Sequence, residues 1–120
     1  MPRVLIVDDS PTETYKFKEI LEKNGFEIIT ADNGADGVAV ARQELPDVVL
    51  MDVVMPGLNG FQATRQISKN EETKNIPVII VTTKDQETDK VWGKRQGASD
   101  YLTKPVDEKL LLETINRVLS

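Results

Sequence analysis

The chain has 120 residues, 39% hydrophobic and 29% charged, with a net charge of −5, no cysteine and no histidine. That length suits one domain, and a domain of this size buries roughly two-thirds of its unfolded surface without staples. The missing residue types exclude disulfides, thiolate nucleophiles, a Ser-His-Asp triad, a histidine metal site and a histidine phosphocarrier, and the acidic balance disfavours non-specific nucleic-acid binding.

No apolar run reaches the roughly 18–20 residues that a membrane span needs. The opening MPRVLIVDD carries only a short apolar run, Val4–Val7, before two acids, which is not the pattern of a signal peptide. Together with the missing cysteines this points to a cytoplasmic protein.

Val4–Val7 reads as the first strand, rich in β-branched residues and uninterrupted. The first helix follows. Ser10 suits its N-cap, Pro11 its first position, and Glu13 is placed to complete a capping box. Phe17, Ile20 and Leu21 mark its inward face, and Asn24-Gly25 ends it. Phe26–Ala31 is a weaker strand. A second helix spans about Ala35–Glu44 and stops before Pro46. Val48–Met51 is another apolar strand. The third helix, about Gly60–Lys69, buries Phe61, Ile67 and either Ala63 or Thr64. Val78–Val81 is the third apolar strand. The fourth helix, about Glu87–Gln96, holds Gly93 in its interior, at a cost of roughly 1 kcal/mol relative to alanine. Trp92 on it is expected to be partly buried against the sheet or a neighbouring helix. Lys90 and Lys94 lie one turn apart and read as solvated charges. Tyr101–Thr103 is the second weak strand, and about Asp107–Leu119 forms the last helix, apolar at Leu111, Ile115, Val118 and Leu119.

Five β-α units in succession call for one α/β domain: an open parallel sheet with right-handed crossovers and helices on both faces. Ligands of such sheets bind beyond the carboxyl ends of the strands. Asp8-Asp9 ends the first strand, Asp52 the third, Thr82-Thr83 the fourth, and Lys104-Pro105 follows the fifth. Gathered on one edge, three carboxylates repel one another unless a cation balances them, and an all-oxygen donor set suits Mg²⁺. A metal, the Lys104 ammonium and the Thr82 hydroxyl could share the oxygens of an added phosphoryl group, and a carboxylate is a known nucleophile for its transfer. Each residue alone also has an ordinary reading as a loop, cap or solvated charge; their coincidence at one sheet edge favours the functional one. A Walker loop is missing after the first strand, where DDSPTE stands, and so is a GxGxxG. Val54 occupies the place where an aspartate-based phosphatase needs its second acid, which disfavours a turnover enzyme.

The segments VLIVDDSP, VVLMDVVMPGLNG, VIIVTT and GASDYLTKP resemble, in order and spacing, the motifs of CheY-like response-regulator receiver domains. The resemblance covers essentially the whole chain. More narrowly, the long stretches around Asp52 and Thr82–Glu108 are similar to receivers of chemosensory systems that control type IV pilus twitching motility. This implies a flavodoxin-like, doubly wound (βα)5 fold with strand order 2-1-3-4-5, and a single receiver domain over residues 1–120 with no output domain. Asp52 would be the phosphoacceptor. Asp9 and Asp52 would ligate Mg²⁺ directly, with the backbone carbonyl of Val54, and Asp8 through water. Lys104 would contact the phosphoryl group, and its bond to Pro105 would be cis. Thr82 would be the switch hydroxyl and Tyr101 the switch aromatic, on a surface made by the fourth helix, fifth strand and fifth helix. The backbone amide of Thr83 would bind phosphate. Thr83 stands where relatives usually carry a smaller residue, and Val54 and Lys84 lie where such proteins tune water access, so the lifetime of the phosphorylated state stays open.

The expected reaction is attack by the Asp52 carboxylate on a phosphoryl group carried by a partner's histidine, which this chain cannot supply. The implied partners are a CheA-like histidine kinase of a pilus system and a downstream protein that reads the switch surface, with the chain a monomer or weak dimer. Two function classes stay open: a signalling module, and a phosphate sink that drains a shared kinase.

Overall fold

The three uninterrupted apolar runs become the middle of the sheet. The computed structural model describes all 120 residues, with β1 at Arg3–Val7, β2 at Glu27–Ala31, β3 at Val48–Met51, β4 at Val78–Thr82 and β5 at Asp100–Thr103. All five are parallel, in the order β2-β1-β3-β4-β5. Every residue of β3 and β4 is buried, as are Val4–Val7 of β1. The two weaker runs are the edges, where one side has no strand neighbour and polar residues are tolerated. Phe26 was expected inside β2. It precedes the strand, donates its N–H to the Leu21 carbonyl at 3.0 Å, and packs into the core with its ring.

Alternation along the strands divides the core. Val4, Ile6, Val48, Leu50, Ile79 and Val81 meet Phe17 and Leu21 of α1 (Pro11–Lys23) and Leu111 and Ile115 of α5 (Glu108–Leu119). Leu5, Val7, Val49, Met51 and Val78 meet Ala41 of α2 (Gly34–Glu44) and Ala63 and Ile67 of α3 (Gly60–Lys69). A third cluster joins Val53, Phe61, Ile80, Ala98 and Tyr101 near α4 (Glu87–Arg95).

Several helix ends differ from expectation by one residue, each for a capping reason. Asn33 caps α2 by accepting from the Asp36 amide at 2.8 Å, so the helix starts at Gly34. Asp107 lies outside α5 and caps it through the Leu110 amide at 3.0 Å. Gln96 is the C-cap of α4 rather than its last residue. In α3 both Ala63 and Thr64 are buried. At α1 the capping box is only half made. Ser10 Oγ accepts from the Glu13 amide at 3.3 Å, but the Ser10 amide donates to Asp8 Oδ1 at 2.9 Å, not to Glu13. Trp92 is half exposed on α4, while Gly93 beside it takes the buried position.

Candidate functional site

Each strand's last ladder bond carries the chain onto one edge. The Asp8 amide donates to Ala31 at the end of β2, the Asp52 amide to Val7 at the end of β1, and the Lys104 amide to Thr82 at the end of β4. Parallel register therefore gathers residues that are distant in sequence, and the sheet itself sets their spacing.

Lys104 stands at the centre. Its ammonium lies 2.8 Å from Asp8 Oδ2, 3.5 Å from Glu13 Oε1 and 3.6 Å from Asp52 Oδ2, with the Phe17 ring centroid at 5.9 Å. Burial alone would lower its pKa; the hydrogen bond to Asp8 and the charges of Asp52, Asp8 and Glu13 outweigh this and raise it. The Lys104–Pro105 peptide is cis. Asp8 and Asp52 are buried, whereas Asp9 is exposed at the rim. Asp52 Oδ1 accepts from the Val53 amide at 2.8 Å, with the Val54 amide at 3.4 Å. Burial pushes the Asp52 carboxyl above its usual range; Lys104 pulls it down, Asp8 pushes it up, and the Thr82 hydroxyl and Val54 amide stabilise the anion.

Ligand oxygens of Asp8, Asp9 and Asp52 all lie within 4.8 Å of one another. Three carboxylates, Asp8, Asp52 and Glu13, face the one lysine, and Asp9 adds a fourth negative charge beside Asp8 and Asp52. That excess of negative charge, in an all-oxygen donor set, fits a hard divalent cation.

Thr82 is fully buried and its hydroxyl faces Asp52. Tyr101 is inward too, 9% exposed, and its hydroxyl donates to the Lys84 carbonyl at 2.8 Å. Thr83 is exposed at the mouth. Val54, also exposed, lines a cavity of about 490 Å³ there with Asp9, Met55, Pro56 and Lys84. Asp8, Asp9, Asp52, Thr82 and Lys104 therefore meet at one sheet edge, whereas Tyr101 packs apart from them with Val53, Phe61, Ile80 and Ala98.

Two contributors were missed. Glu13 was assigned to a cap and instead reaches Lys104. Gly60 starts α3 against the backbone of the phosphoacceptor candidate: a Cβ there would meet the Asp52 carbonyl oxygen at 2.0 Å. Asn59-Gly60 after a Pro-Gly turn was a visible signal for that close approach.

A model of the response regulator receiver domain matches residues 4–116. The chain belongs to that family. Receiver domains accept a phosphoryl group from histidine kinases and act on downstream targets. Protein PilH of Pseudomonas aeruginosa is 75% identical over 120 residues, covering all of this chain and 99% of that protein. Response regulator PleD of Caulobacter vibrioides is 37% identical over 113 residues, 94% of this chain but 25% of PleD. Among solved structures, Vibrio cholerae chemotaxis protein CheY4 superposes with a TM-score of 0.93 at 34% identity, covering 99% of both chains. The receiver domain of the Pseudomonas aeruginosa sensor histidine kinase PA1611, solved with magnesium coordinated in its active-site cleft, gives 0.91 at 28% identity over 98% of this chain and 97% of that one. The fold is the flavodoxin-like one, and no helix is long and apolar enough to cross a membrane.

Proposed function

We propose that this receiver is a Mg²⁺-dependent switch in which Asp52 takes a phosphoryl group from the phosphohistidine of a CheA-like kinase in a type IV pilus chemosensory system of the cytoplasm. The observation that carries the reading is the central ammonium: Lys104 reaches Asp8 and Asp52 from a third strand end and is itself nearly buried. Asp52 supplies the attacking oxygen. Its new O–P bond forms as the donor's N–P bond breaks, and the electron pair leaves with the partner's imidazole.

Asp9, Asp52 and the Val54 carbonyl would hold Mg²⁺ directly, and Asp8 through water. Bound there, the ion offsets charge that develops on the phosphoryl oxygens. Lys104 and the Thr82 hydroxyl bind the remaining oxygens, with the backbone amide of Thr83 as a further donor. Thr82 and Tyr101 are the switch pair: a phosphoryl group on Asp52 holds the Thr82 hydroxyl inward, which leaves room for the inward Tyr101 ring against α4. The surface of α4, β5 and α5 then selects a downstream protein. The pilus assignment rests on the similarity to PilH and not on chemistry visible in the site.

Intact-mass measurement with a small phosphodonor and Mg²⁺ tests the acceptor. One phosphoryl group is expected, and none on Asp52→Asn; labelling of the variant at the parental rate would overturn the assignment. Phosphotransfer from a panel of histidine kinases, with a deletion strain scored for twitching, tests the pathway. Equal transfer from all kinases together with normal twitching would remove the pilus reading.

A further inference from the structure

Glu13 is the one carboxylate at Lys104 to which the chemistry above gives no role. It lies in the first turn of α1 with its side chain 27% exposed. Its amide is held by Ser10 Oγ, but the partner that a capping box would give its carboxylate, the Ser10 amide, is taken by Asp8 Oδ1. The carboxylate is therefore free to turn toward the site. Oε1 stands 3.5 Å from Lys104 Nζ, while Oε2 stands 3.9 Å from Lys16 Nζ on the outer side.

The ammonium has three hydrogens and three carboxylates around it. Asp8 takes the one close bond, at 2.8 Å. Glu13 and Asp52 both stand beyond the close bond, pulling the ammonium from nearly equal distances, 3.5 and 3.6 Å. Phe17, whose ring lies beneath the ammonium, belongs to the same helix as Glu13. Attraction from α1 thus opposes the approach of Lys104 to Asp52.

We propose that Glu13 is a positioning residue that restrains Lys104 toward α1 and so limits how fast Asp52 gains a phosphoryl group. The proposal rests on the reading of Asp52 as phosphoacceptor. As the Asp52 O–P bond forms, the ammonium has to leave Glu13 to meet the incoming oxygens. The attraction of Glu13 for the ammonium at 3.5 Å, given up as the ammonium moves to the incoming oxygens, is worth about a sevenfold rate change at the dielectric of water. An acceleration of about three- to tenfold is therefore expected when the restraint is removed.

The test uses the whole chain with Mg²⁺ and acetyl phosphate, whose O–P bond breaks to release acetate as the Asp52 acyl phosphate forms. Labelling is followed by intact mass. Glu13→Gln removes the charge at constant shape and should label about three- to tenfold faster. Glu13→Asp keeps a negative charge in the first turn of α1 but withdraws it from Lys104 by one methylene, and should also label faster. In ¹⁵N-lysine-labelled protein the Lys104 ammonium resonance should move in both variants, a change that a purely capping role would not produce. An unchanged or slower rate in Glu13→Gln overturns the proposal. So does a fast Gln variant paired with a parental Asp variant, which would mark simple repulsion of the incoming phosphoryl group. The Asp52→Asn control separates the two readings: label on that variant at the parental rate defeats the phosphoacceptor reading itself, whereas no label there with parental rates in both Glu13 variants defeats only the present inference.

Discussion

Thr64 is fully buried in α3, and its hydroxyl has no hydrogen-bond partner. A buried polar group left unpaired costs about 1–3 kcal/mol, and an apolar isostere removes that cost without opening a cavity. Thr64→Val should therefore stabilise the fold by about 1 kcal/mol, which chemical denaturation would read directly. Tyr101 makes the opposite case, a buried hydroxyl that is paired. Burial, followed by the charges of Asp89, Asp85 and Asp52, pushes its phenol up to about 12. The folded state then holds the phenolic proton more tightly than the unfolded chain, whose tyrosines titrate near about 10. The stability this contributes is present in full below pH about 10 and is lost as pH rises from there toward about 12. Tyrosinate absorbance should show a component rising near the top of that window, and Tyr101→Phe should remove it. Both residues were visible in the sequence as strand or helix positions; the pairing of each hydroxyl depends on neighbours that only the fold assembles.

At the scale of elements, what was legible follows the strength of local signals. β1, β3 and β4 could be read because strands buried on both faces must be apolar throughout, and nothing else in a short chain looks like that. Strand ends were less legible than strand cores: β1 and β4 each run one residue longer than the apolar run, to Arg3 and Thr82, Phe26 falls outside β2, and the open side of β5 lets Asp100 in. The capping box of α1 looked certain from Ser10 and Glu13, but Asp8 outcompetes Glu13 for the Ser10 amide, and that contact depends on where β1 ends. Gly93 is the instructive case in α4. As a local signal it suggests a soft helix; in the fold it makes room, because a Cβ there would meet Ile80 Cδ1 at 2.9 Å and Tyr101 Cδ2 at 3.0 Å. Two effects oppose each other in Gly93→Ala: about 1 kcal/mol of helix propensity gained, against about 1–3 kcal/mol for overpacking a rigid ring. Overpacking should win, leaving the variant about 1 kcal/mol less stable by denaturation, with amide shifts concentrated in α4 and β5.

For the whole molecule, the site was legible because topology does the assembling. Once five β-α units imply a parallel sheet, the residues after each strand must share an edge, so Asp8, Asp9, Asp52, Thr82 and Lys104 could be grouped without coordinates. The net charge of −5 is then concentrated there in part, with Asp8, Asp9, Asp52 and Glu13 set against Lys104. Folding forces these charges together, and a divalent cation that binds only the folded state relieves the repulsion. Mg²⁺ should therefore raise the melting temperature, and at a concentration of 100 times its dissociation constant the gain is about 2.7 kcal/mol, or roughly 10 °C for a domain of this size. Chelation should reverse the gain. Asp9 is the member of the cluster exposed at the rim, so its carboxylate can be neutralised with little change to packing. Asp9→Asn should lose most of the magnesium-dependent rise while melting at or slightly above the parental temperature in chelator, because one repelling charge is gone. Calorimetry with and without Mg²⁺ reads both effects in one pair of scans. A variant that melts lower in chelator yet responds fully to Mg²⁺ would show that Asp9 supports the loop and does not hold the ion.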